Sequence, residues 1–437
     1  MKNFQVILLV IFGIFGALAA AIFSGGIKLP QKASETKFGA VGTVTIWGTF
    51  PSSGMESVIE SFNKEANDEI VVFYQQKDEK TFSDEFLKSL AFGGSPDILI
   101  IPQSLVNQYD GKFTVIPYTA FTKRMFTDTY VDAANIFTKE NGILGFPIVA
   151  DPIVMYYNKD SFNSAGIVEV PKYWREILGI TPDLTDLSSA LEIRKSAVAM
   201  GEFSNVRNAK KIMSALILQL GNNIVSKNES GKEISILAER SYISSNPVET
   251  VMRFYTEFSN PLSSLYSWNK SMPNSLDAFV AGDLAIYFGP ASEFALIRSK
   301  NPNLNFNVSD IPQVEGSSAT TYADIYSMVI PSAAKNPSAA SVVASTFANG
   351  TYARQISDVT GFTPVRRDIL RAPSPLIPEQ GIFYKASLQS KTWADPNSEE
   401  TDKVFSGLVE NILSGLKNID DAVESASKEL QIVIDTK

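Results

Sequence analysis

The sequence predicts an α/β protein built on a mostly parallel sheet. Short β-branched runs alternate with helical patterns through the first hundred residues, and each run is bounded by Gly, Pro or Asn. The apolar spacing also switches repeatedly between a period of two and a period near 3.6, as strand–helix units require.

Val44-Thr45-Ile46-Trp47 reads as the first strand, and Gly48 to Gly54 as the turn after it. Met55, Val58, Ile59 and Phe62 then place an apolar stripe on one helix face. Ile70 to Tyr74 is a strand, Phe82 to Phe92 a helix, and Pro96 to Ile101 a buried strand. Ile153 to Tyr157 is another strand, closed by Asn158-Lys159-Asp160. Ile212, Met213, Leu216 and Leu220 mark a helix from Ala209, ended by Gly221. Leu276 to Val280 and Leu284 to Phe288 flank the turn Ala281-Gly282-Asp283. Met328 to Pro331 is a late strand, and Ala339–Ala348, Val404–Leu416 and Asp420–Leu430 are late helices.

The chain has 437 residues, 44% of them hydrophobic, which suits two or three packed domains rather than a disordered chain. It holds no Cys and no His. A thiolate nucleophile, a disulfide framework, a Ser-His-Asp triad and an imidazole zinc site are therefore excluded. Its formal charge of −9, without a basic block, argues against nucleic acid as a partner. No phosphate loop occurs. The acidic turn Asp395–Glu400 lacks the central Gly of a calcium loop, so no metal or cofactor is expected. Asp97, Asp151, Asp283, Glu293 and Asp324 sit beside apolar strands. They keep open a hydrolase working through two carboxylates, although their separation is not legible in sequence.

Val6 to Phe23 carries no charge over 18 residues, longer than an ordinary signal core and close to a membrane span. We read residues 1–24 as a transmembrane anchor; cleavage as a signal peptide at Ala17-Leu18-Ala19 or Ala19-Ala20-Ala21 is the alternative. Residues 25–41 read as a linker, and the remainder as lying outside the cell membrane.

Several segments, in order, resemble one family. Gly145-Phe146-Pro147, Tyr156 to Phe162, Ala165-Gly166-Ile167 and Pro171 to Trp174 are similar to a continuous stretch of the maltose-binding-like extracellular solute-binding proteins of ABC importers. Gly93 to Ile98, Ala278-Phe279 with Gly282 to Ile286, Ile330-Pro331 with Lys335 to Pro337, and Gly361 to Arg366 resemble further segments of that family. The resemblance covers about residues 42 to 433. It implies a two-lobed periplasmic-binding-protein fold of type II, with a cleft that closes on a small solute, and no enzymatic activity. It also implies a monomer that delivers its solute to ABC permease subunits. On this basis lobe one is expected at 42–150 and 314–366, and lobe two at 151–313 and 367–437. The crossings are expected at Pro147–Pro152 and Ile311–Gly316.

The ligand-binding positions that the resemblance implies are Trp47, Gly48, Thr49, Ser104, Asp151, Trp268, Tyr287 and Gly289. Aromatic faces and a carboxylate suit a sugar or oligosaccharide. Where the maltose-type members carry stacking aromatics after Gly-Pro, this chain has Ala291-Ser292-Glu293, which argues against maltodextrin in particular. A peptide, polyamine or polyol phosphate remains the alternative solute.

Overall fold

The computed structural model describes residues 41–67, 69–239, 246–371 and 377–436. The expected anchor, and the expected linker up to residue 40, lie outside these residues. Among the described residues no helix is long and apolar enough to cross a membrane.

The principal strands are β1 (Gly42–Gly48), β2 (Ile70–Gln76), β3 (Ile98–Pro102), β4 (Gly145–Asn158), β5 (Ile193–Val198), β6 (Leu284–Pro290), β7 (Phe306–Ser309) and β8 (Thr321–Val329). They join in one curled sheet, ordered β2-β1-β3-β8-β4-β6-β5, with β7 also paired to β4. Among these principal strands only the flanks are parallel: β1 with β2 and β3, and β6 with β5. The centre is antiparallel, because β8 runs against both β3 and β4, and β4 runs against β6 and β7. The sheet is thus mixed rather than mostly parallel. The reason is topological, since strands passing between two lobes must return.

Local chemistry explains the first unit. In β1, Val44, Ile46 and Gly48 are buried in alternation. Helix α1 (Ser52–Ala66) buries Met55, Val58, Ile59, Phe62 and Ala66 and stops at Asn67, whose left-handed φ of 49° suits that residue. Helix α2 (Phe82–Phe92) buries Phe82 and Phe86 and closes on Gly93.

Two hydrophobic cores define the two lobes. One gathers Val44, Phe62, Leu99, Ile148, Ile325 and Phe347; the other gathers Met155, Ile212, Trp268, Phe279, Phe405 and Leu430. Strand β4 belongs to both, changing core between Ala150 and Ile153 within one continuous strand. Strand β8 changes core between Tyr322 and Ala323, beyond the Ile311–Gly316 segment expected as the second crossing. The shift has a cause. β8 pairs with β4, Ala323 opposite Pro152, so the two strands cross at the same place. Leu370 and Tyr384 pack into the lobe-one core, so that lobe extends past Arg366.

Candidate functional site

Where the crossing strands meet, a cleft opens between the lobes as two connected cavities. The outer one is about 470 Å³, and its lining includes Thr49, Glu79, Ser83 and Leu105 from lobe one and Asn397, Ser398 and Glu399 from lobe two. The deeper one is about 150 Å³ and is lined by Lys210, Lys211, Ser214, Tyr322, Asp324 and Asp395. Glu79, Pro102, Ser104, Tyr326 and Ser398 border both. A further hollow of about 420 Å³ is lined by lobe two alone, Asn158 and Lys195 among its residues.

Backbone positions set the deeper cavity. Along β8 the less buried positions alternate, placing Asp324 and Tyr326 on one face. Lys210 and Lys211 stand in the first turn of α3 (Ala209–Gln219), across the cleft on lobe two. Lys211 Nζ lies 2.5 Å from Asp324 Oδ2, and Gln103 Nε2 (2.8 Å) and the Tyr322 hydroxyl (3.0 Å) donate to Oδ1. Burial pushes the Asp324 carboxyl up, but the Lys211 charge, with these hydrogen bonds, outweighs it and holds the group below its ordinary range. Burial lowers Lys211 in turn, while Asp324 and Asp151 together push it up to about 12.

Asp151 faces the opposite balance. It is 5% exposed and accepts from the Ser292 backbone N–H (2.9 Å) and hydroxyl (2.7 Å). Burial dominates and raises it to about 7, with Lys211 and Ser292 opposing and Asp324 adding to the rise.

The residues expected to bind ligand divide into four groups. Thr49 and Ser104 line the cleft. Asp151, Gly48 and Gly289 lie in the packed layer behind it. A Cβ on Gly48 would sit 3.1 Å from Ile100, a tight fit, and one on Gly289 would sit 2.5 Å from the Tyr287 ring, where something must shift to admit it. Trp268 and Tyr287 are corrected. They are fully buried in the lobe-two core, Trp268 with Nε1 on Asn205 Oδ1 (3.0 Å) and Tyr287 with its hydroxyl on Glu293 (2.5 Å). Neither ring reaches the cleft, since core packing claimed both. Trp47 is half-buried, and the ammonium of Lys77 sits 3.8 Å from its ring centroid, over the ring face.

Sequence reading missed Glu79, Gln103, Lys210, Lys211, Tyr322, Tyr326, Asp395 and Ser398. The alternation Tyr322-Ala-Asp324-Ile-Tyr326 was a usable signal, because polar groups at every second strand position share a face. Tyr326 packs with Phe50 (5.2 Å) and Phe362 (5.0 Å). Among the described residues, no group of three or more acidic side chains is arranged to hold a metal ion.

Of the other carboxylates considered for hydrolysis, two are engaged elsewhere and one is exposed. Asp97 accepts backbone N–H groups from Thr45, Lys335 and Asn336, Glu293 accepts from Arg207 and Tyr287, and Asp283 is exposed. The family profile described as bacterial extracellular solute-binding protein matches residues 57–381. The chain belongs to that family. No curated protein sequence matches the chain. Among solved structures, a cyclic α-maltosyl-1,6-maltose binding protein from Arthrobacter globiformis aligns over 91% of this chain and 100% of its own, with 16% identity and a TM-score of 0.75. The sugar-binding protein MalE from Xanthomonas citri aligns over 90% and 98%, with 17% identity and a TM-score of 0.74. A protein named CpMnBP1, solved with mannotriose bound, aligns over 89% and 99%, with 18% identity and a TM-score of 0.67. These likenesses establish the shared two-lobed fold of this solute-binding protein. Its family and its structural neighbours are binding proteins, not enzymes.

Proposed function

We propose that this solute-binding protein captures a sugar or oligosaccharide between its lobes and delivers it to the permease subunits of an ABC importer. The observation that carries the reading is the composition of the cleft. Tyr326 presents a half-buried ring and a hydroxyl that makes no hydrogen bond among the described residues, beside Ser104, Thr49 and Glu79. An aromatic surface with adjoining hydroxyl and carboxylate groups complements the C–H face and hydroxyl rim of a sugar ring. The sugar ligands of the solved neighbours support the same class.

On this reading the solute bridges Thr49, Ser104 and Tyr326 of lobe one to Ser398 of lobe two, and closure occurs about the β4–β8 crossing. Interactions that the solute makes with both lobes only when they are closed supply the free energy of the transition. Asp151 acts from behind the cleft. The Val6–Phe23 segment tethers the globular part, a monomer, to the outer face of the membrane.

The test is a thermal-shift screen of the full chain in detergent against sugars, oligosaccharides, polyols, amino acids, peptides and polyamines. A ligand at about 100 times its dissociation constant adds roughly 2.7 kcal/mol to folding. A shift confined to saccharides is the expected result. A shift given only by another solute class would discard the carbohydrate assignment and retain the receptor.

A further inference from the structure

The two lysines at the start of α3 stand against the helix dipole. That first turn contains no acidic residue, and cations at a helix N-terminus are disfavoured. Each is matched instead by a carboxylate brought from elsewhere in the fold. Lys211 pairs with Asp324 of β8 at 2.5 Å, and Lys210 pairs with Asp395 at 3.1 Å. All four side chains line the deeper cavity, so its fixed charges cancel there, and Glu79 stands exposed at its mouth.

The two pairs are not equivalent. Lys210 is consumed by its own lobe, binding Ser398 through both the carbonyl (2.9 Å) and the hydroxyl (3.1 Å), Thr401 (3.0 Å) and Asp402 (2.6 Å) as well as Asp395. Among the described residues Lys211 makes one ion pair, and that pair joins the lobe-two helix to a strand on which Gln103 of lobe one also converges.

We infer that the deeper cavity selects an uncharged, hydroxyl-bearing unit of the solute, and that the Lys211–Asp324 pair is the element that determines this specificity. The inference rests on the solute-binding reading above and narrows it. A neutral hydroxyl donates to Asp324 or accepts from Lys211 without separating them. A carboxylate or phosphate entering the same volume brings a charge that meets Asp324, Asp395 and Glu79, while the lysines beside it are already paired. An ammonium group meets Lys210 and Lys211. Either charged group is dehydrated on entry without a matched partner, a cost that a hydroxyl does not bear.

The pair also makes the selectivity reversible by substitution. Asp324→Asn keeps the shape of the side chain and takes from the Lys211 ammonium its direct partner, leaving only the more distant influence of Asp151, which turns the cavity toward anions. Lys211→Gln leaves the Asp324 carboxylate unmatched and turns it toward cations. Opposed shifts from two variants of one contact are a signature that loss of packing alone does not produce.

The experiment uses the full chain and a glycan array holding neutral gluco- and manno-oligosaccharides, their counterparts with one glucuronic acid, and their counterparts with one free glucosamine. The wild type is expected to favour the neutral members by about tenfold or more over both charged sets. Asp324→Asn is expected to move the ratio toward the glucuronic-acid set, and Lys211→Gln toward the glucosamine set, each by about tenfold. Should one variant fail to fold, the other must still move the ratio toward its own charged set, and an unchanged ratio there overturns the assignment to the pair. A wild type that prefers a charged set overturns this inference and leaves the sugar reading intact, as do two variants that shift in the same direction. Binding of another solute class with no glycan bound overturns both.

Discussion

Asp151 and Asp324 are register partners on two antiparallel strands, at the point where both strands pass from one hydrophobic core to the other. Their environments divide them. Lys211 holds Asp324 ionised, whereas Asp151, turned to Ser292 and buried, is pushed up to about 7. The interlobe crossing thus carries one fixed carboxylate charge and one carboxyl that takes up a proton near neutrality.

The first prediction concerns Asp151. Its folded pKa of about 7 lies above the ordinary value near 3.9, so between those values the folded protein binds more protons than the unfolded chain. Stability contributed by this group is therefore full below about pH 4 and lost as pH rises toward 7. Asp151→Asn should flatten that slope and gain on the wild type by an amount on the order of a few kcal/mol near pH 7. Urea unfolding across this range measures it, and parallel slopes for the two proteins would refute it.

The second concerns Trp268. Because the ring is fully buried in lobe two, Trp268→Ala should cost about 3–5 kcal/mol of stability. Solute affinity of the folded fraction should stay within about threefold of wild type, since the ring does not line the cleft. A loss of affinity without a fall in melting temperature would place Trp268 in contact with the ligand.

The third concerns Tyr326, which borders both cavities. Tyr326→Phe keeps the ring and should weaken solute binding by about 1 kcal/mol, the net worth of one hydrogen bond. Tyr326→Ala removes the stacking surface as well and should cost about 2–3 kcal/mol of binding. Calorimetric titration separates the two steps, and equal losses from both variants would show that only the hydroxyl matters.

The fourth concerns Gly289. An added Cβ would stand 2.5 Å from the Tyr287 ring and 2.6 Å from Glu293, so Gly289→Ala must displace a buried ring or a buried carboxylate held by Arg207. A loss of about 1–3 kcal/mol is expected, read as a lower urea midpoint. An unchanged midpoint would mean that Tyr287 and Glu293 move aside freely.

Legibility followed the range of the interactions. Helix α2 begins and ends at the residues its pattern indicated, because Phe82, Phe86 and Gly93 act within one or two turns. The second crossing was misplaced because nothing local marks it. Tyr322 and Ala323 are neighbours in one strand, and only the partnership with β4 sends them to different cores. The same limit applied to the aromatics. Trp268 and Tyr326 are both plausible sugar-stacking rings by residue type, and Asn205 with the lobe-two core, against Phe50 and Phe362 beside the cleft, decides between them.

By itself the sequence determined the α/β class, the family, and the chemistry that is excluded, since these depend on composition, short-range periodicity and motif order. The absence of His and Cys needs no coordinates to interpret. Only the tertiary structure decided which polar groups share the cleft. Lys211 and Asp324 are more than a hundred residues apart in the chain, and their charges meet because β8 pairs with β4 and α3 packs across the join. Pairing of that kind is a property of the folded sheet, where contact between distant residues offsets the entropy of bringing them together.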